Sequence, residues 1–320
     1  MAGEQPEAGL GRVLVVGGTH GNERNAPWLL AQLQQQPERL TASGLATCLV
    51  LGNPAAHQQG RRYLQRDLNR CFRPSLLQDP GCQELEVQRA RQLLADWGPG
   101  GQQPCLVALD LHSTTAAMGN SLVVYGRRPA DLALAAAVQQ RLGLPIYLHE
   151  ADASQTGFLC EAWACGLVVE VGPVPQGVLL PAIVEQTALA LEVLLECLDL
   201  ARRRRLTLPR HLVVHRHLGS LDRPMHADGQ AAALLHPQRQ GRDWQPIRSG
   251  DPLFLDDRGQ VLPYRPEVES PQEPVWPVFI NEAAYEEKGI ALSLTQRECW
   301  PVDSSWGEAL MALAARLEPS

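Results

Sequence analysis

Six short runs, nearly all of them apolar from end to end, constrain this chain more than any other feature. They cover 12–17, 46–52, 105–111, 121–125, 144–148 and 166–171. Runs of that length without polar alternation read as strands covered on both faces. Between them, near 24–36, 83–97, 129–142 and 178–202, apolar residues recur at three- and four-residue intervals, which predicts helices. A sheet covered on both faces needs a helical layer on each side. The expected fold class is therefore α/β, a three-layer sandwich around a mixed, mostly parallel sheet.

After about residue 206 the helical periodicity fades. Short strands punctuated by Pro and Gly follow at 211–217, 230–235, 252–255 and 275–280, with a last helix near 304–317. The chain of 320 residues is thus expected to divide into an α/β unit over 1–205 and a smaller, mainly β unit over 206–320.

Charge and composition exclude several functions. A net charge of -7 supplies no basic face, so no nucleic-acid partner is expected. The one basic run, Arg202 to Arg205, ends a predicted helix, where cations suit the dipole. No stretch approaches the roughly 18 apolar residues of a membrane span. The first ten residues lack the basic-plus-apolar pattern of a signal peptide. Eight cysteines are scattered without a CxxC pair, which fits reduced core thiols in a cytoplasmic protein. Lys288 is the only lysine, which leaves little room for Schiff-base or P-loop chemistry.

The segment Gly17-Gly18-Thr19-His20-Gly21-Asn22-Glu23 follows the first strand. His20 and Glu23, three residues apart on a tight turn, are two-thirds of a His2Glu zinc site that keeps a fourth position for water. The third ligand is expected to be His112, at the end of the strand Leu109-Asp110-Leu111-His112, where open α/β sheets present ligand-binding groups. His57, His149, His215, His217, His226 and His236 lack comparable framing and are read as structural or exposed. Glu170 sits in the apolar run Leu167-Val168-Val169-Glu170-Val171, where an unpaired charge is costly. It reads as a general base on the hydrolytic water, the alternative being an edge-strand carboxylate facing solvent. Arg61-Arg62-Tyr63 and Asp67-Leu68-Asn69-Arg70 lie in a polar connection, where arginine forks and an amide can grip a carboxylate.

GGTHGNE, RRYLQRDLNR, DLHSTT, EVGPVPQGVL, GDPLF and VFINEAAYEEK occur in this order, and together they resemble the aspartoacylase family. The resemblance runs from Arg12 to about Lys288. It implies a zinc-carboxypeptidase-like fold and hydrolysis of an N-acyl-L-amino acid, as in N-acetyl-L-aspartate plus water giving acetate and L-aspartate. It implies one zinc ion per subunit on His20, Glu23 and His112, with Glu170 as the water-activating carboxylate. Arg62 would hold the oxyanion, Asn69 and Arg70 the substrate carboxylate, and Tyr285 would reach the substrate from the second unit. Family members are often dimers, so a homodimer is an expectation from resemblance alone.

The pattern departs from the family in one place. Members specific for N-acetyl-aspartate resemble one another in carrying an arginine about ten residues before the catalytic Glu. Here that position is Cys160, and Leu148 to Glu170 holds no Arg or Lys. An upstream clamp tyrosine is replaced by Thr156 or a neighbour. Lys288, three residues after Tyr285, is a partial substitute. Phe158 and Leu159 are expected to line a pocket for a less acidic side chain. The alternatives are an N-succinyl-amino-acid desuccinylase, a deacylase of less acidic N-acetyl amino acids and, more remotely, an inactive binding protein on the same fold.

Overall fold

The apolar runs do form strands, and the strands share one sheet. The computed structural model describes residues 10–41, 44–150, 152, 155–266 and 274–320. Most of the N-terminal segment without a signal pattern, and Ala151, Ala153 and Ser154 of the stretch lacking Arg and Lys, lie outside the described residues. In the first half, β1 (Arg12–Gly17), β2 (Thr47–Leu51), β3 (Cys105–Ser113), β4 (Gly119–Tyr125), β5 (Ile146–His149) and β6 (Cys165–Gly172) match the expected runs closely. The later chain supplies β7 (His211–Asp222), β8 (Ala233–Leu235), β9 (Pro252–Asp256), β10 (Val261–Pro263), β11 (Trp276–Val278) and β12 (Ile290–Pro301).

Among the described residues the main sheet has nine strands in the order β11-β12-β7-β5-β4-β6-β3-β1-β2, and β10-β9-β8 form a separate small sheet. Pairing is parallel except for β4 with β6, β7 with β12 and β11 with β12. The C-terminal half is therefore built onto the main sheet as well as beside it. The antiparallel partner β12 carries no run of apolar residues beyond Leu294, which hid it from the periodicity.

Alternation along the strands splits the core in two. Val13, Val15, Leu109, Leu111, Leu167 and Val169 face one layer, formed by α1 (Asn25–Gln35) and later helices. Leu14, Val16, Ala108 and Val168 face the other, where α2 (Leu85–Trp97) packs Val87, Ala90 and Leu93. The first layer continues through α3 (Pro129–Leu142), α4 (Pro181–Arg202) and α5 (Ser304–Ala314). Ala130 to Val138 are all buried, because small side chains let α3 sit tightly against the sheet, α4 and α5. Each fully buried Val or Leu contributes about 1.5–3 kcal/mol, and β3 is buried at every one of its nine positions. All eight cysteines are free, and six of them are buried. Among the described residues, no helix is long and apolar enough to cross a membrane.

Candidate active site

The turn after β1 is shaped by two glycines. Gly18 adopts φ 72°, a left-handed conformation that side chains resist. Gly21 touches the chain near residue 56 so closely that a Cβ would stand 2.2 Å from the Ala56 carbonyl carbon. Its N–H donates to the Arg62 carbonyl at 3.0 Å, which draws the Arg62 segment over the turn. Thr19 Oγ1 donates to Asp110 Oδ1 at 2.6 Å and ties the turn to β3. The glycine turn and its hydrogen bonds to Arg62 and Asp110 thus bring His20, Glu23 and Arg62 to one point above the sheet.

His112 arrives there from β3, two residues beyond Asp110 and on the same face. A ring nitrogen or carboxylate oxygen from each of His20, Glu23 and His112 lies within 4.8 Å of the others, and all three residues are buried. Glu23 divides its oxygens between the two imidazoles: Oε1 is 2.6 Å from His20 Nδ1, and Oε2 is 3.1 Å from His112 Nδ1. The far nitrogens are also held, His20 Nε2 by Asp67 Oδ1 at 3.1 Å and His112 Nε2 by Asp110 Oδ2 at 2.8 Å. A carboxylate behind each ligating imidazole fixes its tautomer and raises its basicity, the usual support of a metal-binding histidine. The donor set of two imidazoles and a carboxylate fits zinc. Asp67 and Asp110 were not singled out as functional in the sequence. The available signal was period-two spacing from His112 for Asp110, and the polar Arg-rich connection for Asp67.

The electrostatics agree with a cation here. Burial works against the Glu23 charge, but His20 and His112 hold its carboxyl far below the ordinary range. Burial likewise opposes the Asp67 charge, and His20 and Arg62 outweigh it. His112 shows the converse: despite burial, Asp110 and Glu23 raise its affinity for a proton well above that of a free imidazole. Several buried carboxylates compete for positive charge at one point.

Glu170 stands beside His112 in the β3–β6 register, on the same sheet face. β6 lies between β4 and β3, so Glu170 is on a central strand and not an exposed edge. Burial pushes its carboxyl up to about 8, partly opposed by His112. It lines a cleft of about 660 Å³, counting the space at its solvent-open mouth, together with His20, Glu23, Arg62 and His112.

The remaining candidates also reach this cleft. Arg62 lies 3.5 Å from Glu23 and 3.3 Å from Asp67; burial disfavours its charge, yet these carboxylates reinforce it. Asn69 Oδ1 accepts the Leu159 N–H at 2.8 Å, which commits the amide oxygen and leaves the NH2 end for the cleft. Arg70 lies over the Phe158 ring at 4.2 Å and donates to Gln155 Oε1 at 3.2 Å. Tyr285 forms part of the wall contributed by the C-terminal half, with Phe279 and Glu282. Glu282 is buried and holds this wall in place. Its Oε2 accepts from the Thr115 and Ala116 N–H groups at 2.8 and 3.1 Å and from the hydroxyls of Thr114 and Thr115, and its Oε1 accepts from Ala284 N–H.

Two expectations need correction. Leu159 does not line the pocket: it is fully buried in the core layer shared with α2, and only Phe158 of the pair reaches the cleft. Lys288 is exposed outside the cleft lining, at the end of the short turn that carries Tyr285. The reading of His149 and His217 as unframed also changes. His149 lines the cleft, and Asp152 brings both histidines into a second cluster. The pairing arises from the β5–β7 register, which links distant segments and leaves no local signal.

The succinylglutamate desuccinylase/aspartoacylase catalytic-domain model matches residues 10–198, and the AstE/AspA barrel-sandwich hybrid model matches 210–297. A "probable aspartoacylase" of Parasynechococcus marenigrum strain WH8102 is 60% identical over 301 residues, covering 94% of this chain and 98% of that protein. One from Prochlorococcus marinus strain MIT 9313 is 56% identical, with 94% and 98% covered. Among solved structures, murine aminoacylase 3 superposes with a TM-score of 0.82 at 35% identity, covering 92% of this chain and 97% of its own. The fold extends to a succinylglutamate desuccinylase of Chromobacterium violaceum, with a TM-score of 0.58 at 18% identity over 91% and 85% of the two chains.

Proposed function

Because this chain belongs to the succinylglutamate desuccinylase/aspartoacylase family, we propose that it hydrolyses the amide bond of an N-acyl-L-amino acid, with one zinc ion held by His20, Glu23 and His112. The observation that carries the proposal is the convergence of those three donors with a carboxylate behind each imidazole. A zinc ion there would supply Lewis acidity and make a neighbouring water acidic enough to lose a proton near pH 7. Everything else falls to the chain itself.

Glu170 takes the proton from the attacking water and returns it to the leaving nitrogen. Its partly desolvated position gives a carboxyl basic enough for that exchange. Arg62 donates to the carbonyl oxygen as negative charge builds on it, and Glu23 and Asp67 hold the guanidinium in place. The Asn69 amide and the Arg70 guanidinium grip the substrate carboxylate, while Tyr285 closes the mouth. We assign the catalytic unit to 1–205 and the capping unit to 206–320.

The side-chain end of the cleft supports a less acidic substrate than aspartate. Tyr125 and Phe158 stack at 3.9 Å, and Tyr147 meets Phe279 edge-on at 5.5 Å. These rings favour apolar or aromatic side chains. The test is a panel of N-acetyl and N-succinyl amino acids on zinc-loaded protein, with Glu170→Ala as control. Turnover of apolar N-acetyl amino acids is expected. A preference of about a hundredfold or more for the aspartate derivative would refute the side-chain assignment. No amide hydrolysis with any of them would refute the function.

A further inference from the structure

We propose that His149, Asp152 and His217 form a second metal site, for a divalent late-transition ion such as zinc, distinct from His20, Glu23 and His112. It stands independently of the hydrolase reading. β5 and β7 pair in parallel, Tyr147 with His215 and Leu148 with Arg216, so the next step of the ladder places His149 beside His217. The two rings stack with centroids 5.1 Å apart. One donor atom from each of the three residues lies within 4.8 Å of the others.

The second observation is an orphan. His149 is 7% exposed, and among the described residues its buried Nε2 has no hydrogen-bond partner. A buried polar nitrogen left unanswered is costly, and a metal–nitrogen bond would recover that cost. His217 Nε2 and Asp152 Oδ2 are 4.0 Å apart, beyond hydrogen-bond reach. Two donors sharing an ion at about 2.1 Å stand about 3.4–4.2 Å from one another. The Tyr147 hydroxyl lies 2.8 Å from His217 Nδ1; with Nδ1–H donating to it, the Nε2 lone pair turns toward the cluster.

The donor set selects the ion. Two nitrogens and one carboxylate suit zinc or its neighbours, whereas calcium and magnesium prefer oxygen. The charges of Arg70 and Lys288, which bear on His149, further disfavour ions held by charge alone. Asp152 and His217 line a second groove with Gly219 and Ser220, and Gln155 borders both this groove and the cleft that His149 lines. An ion could therefore arrive without passing the first cluster.

The experiment counts zinc per folded chain by elemental analysis after equilibration at micromolar free zinc, with circular dichroism checking the fold. Wild type should bind two ions. His20→Ala/His112→Ala should retain one, and Asp152→Ala/His217→Ala should retain one. The quadruple variant should bind none. The isosteric Asp152→Asn, which spares the packing, should weaken the second equivalent at least tenfold. One ion in wild type at saturation, lost in His20→Ala/His112→Ala but unmoved by Asp152→Asn, overturns the site. So does a second equivalent that survives in the quadruple variant.

Discussion

The two histidine–carboxylate clusters share a sheet face yet are built in opposite ways. In the first, every imidazole nitrogen meets a carboxylate oxygen, and His112 gains affinity for a proton. In the second, Tyr147 backs one ring, His149 Nε2 has no hydrogen-bond partner among the described residues, and burial drives His149 down to about 4. On the proposed reading, donor identity alone does not make a hydrolytic centre. The first cluster stands directly beside the proposed base and oxyanion donor: Glu170 pairs with His112 across β3 and β6, and Arg62 lies 3.5 Å from Glu23.

The largest expected difference is in turnover. His112→Ala, or removal of metal by a chelator, should lower kcat/KM by more than about 10⁴-fold, whereas Asp152→Asn should change it less than about fivefold. Steady-state kinetics on the same substrate checks both, and comparable losses would erase the distinction between the clusters. Next, Glu170→Gln should cost about 10²–10⁴-fold in kcat, and Arg62→Ala about 3–4 kcal/mol of barrier, with zinc content unchanged. Near-normal turnover in Arg62→Ala would remove it from the oxyanion role.

A smaller effect probes the backing carboxylates. Asp110→Asn should weaken zinc binding at the first cluster by about 10–100-fold, measured by competition with a chelating dye. An unchanged affinity would mean that the carboxylate behind His112 is ornamental.

The smallest concerns acid stability of the metal-free protein. His149 titrates near 4 in the folded chain against 6.5 when unfolded, so the unfolded state binds the extra proton between those values. Its contribution is present above about pH 6.5 and is lost as pH falls toward 4. Urea unfolding should show wild type losing about 2 kcal/mol more than His149→Gln between pH 7 and pH 5. Equal losses in the two proteins would contradict the depressed imidazole.

How much of this was legible in the sequence depended on locality. Strands such as β1 and β3 were plain because burial on both faces removes polar residues from consecutive positions. His20 and Glu23 could be paired because a single glycine-framed turn holds both. β12 was invisible, since its second half alternates exposed and half-buried residues. Glu282 and the His149–His217 pair were also hidden: their partners lie 166 to 168 residues away in the first case, and in the second emerge only from the register of two strands. Phe158 and Leu159 show the limit of adjacency, since neighbours beside a cleft point in different directions and only one can face it.

The anchoring by Glu282 bears on how the gene can be divided. A fragment ending at residue 205 would carry all three donors of the first cluster, yet the N–H groups of Thr115 and Ala116 would lose their acceptor and β5 would present a bare edge where β7 now pairs. Such a fragment is expected to aggregate when expressed alone, through that uncovered strand. Supplying the remaining residues as a separate polypeptide in the same cell is the rescue that this interdependence calls for.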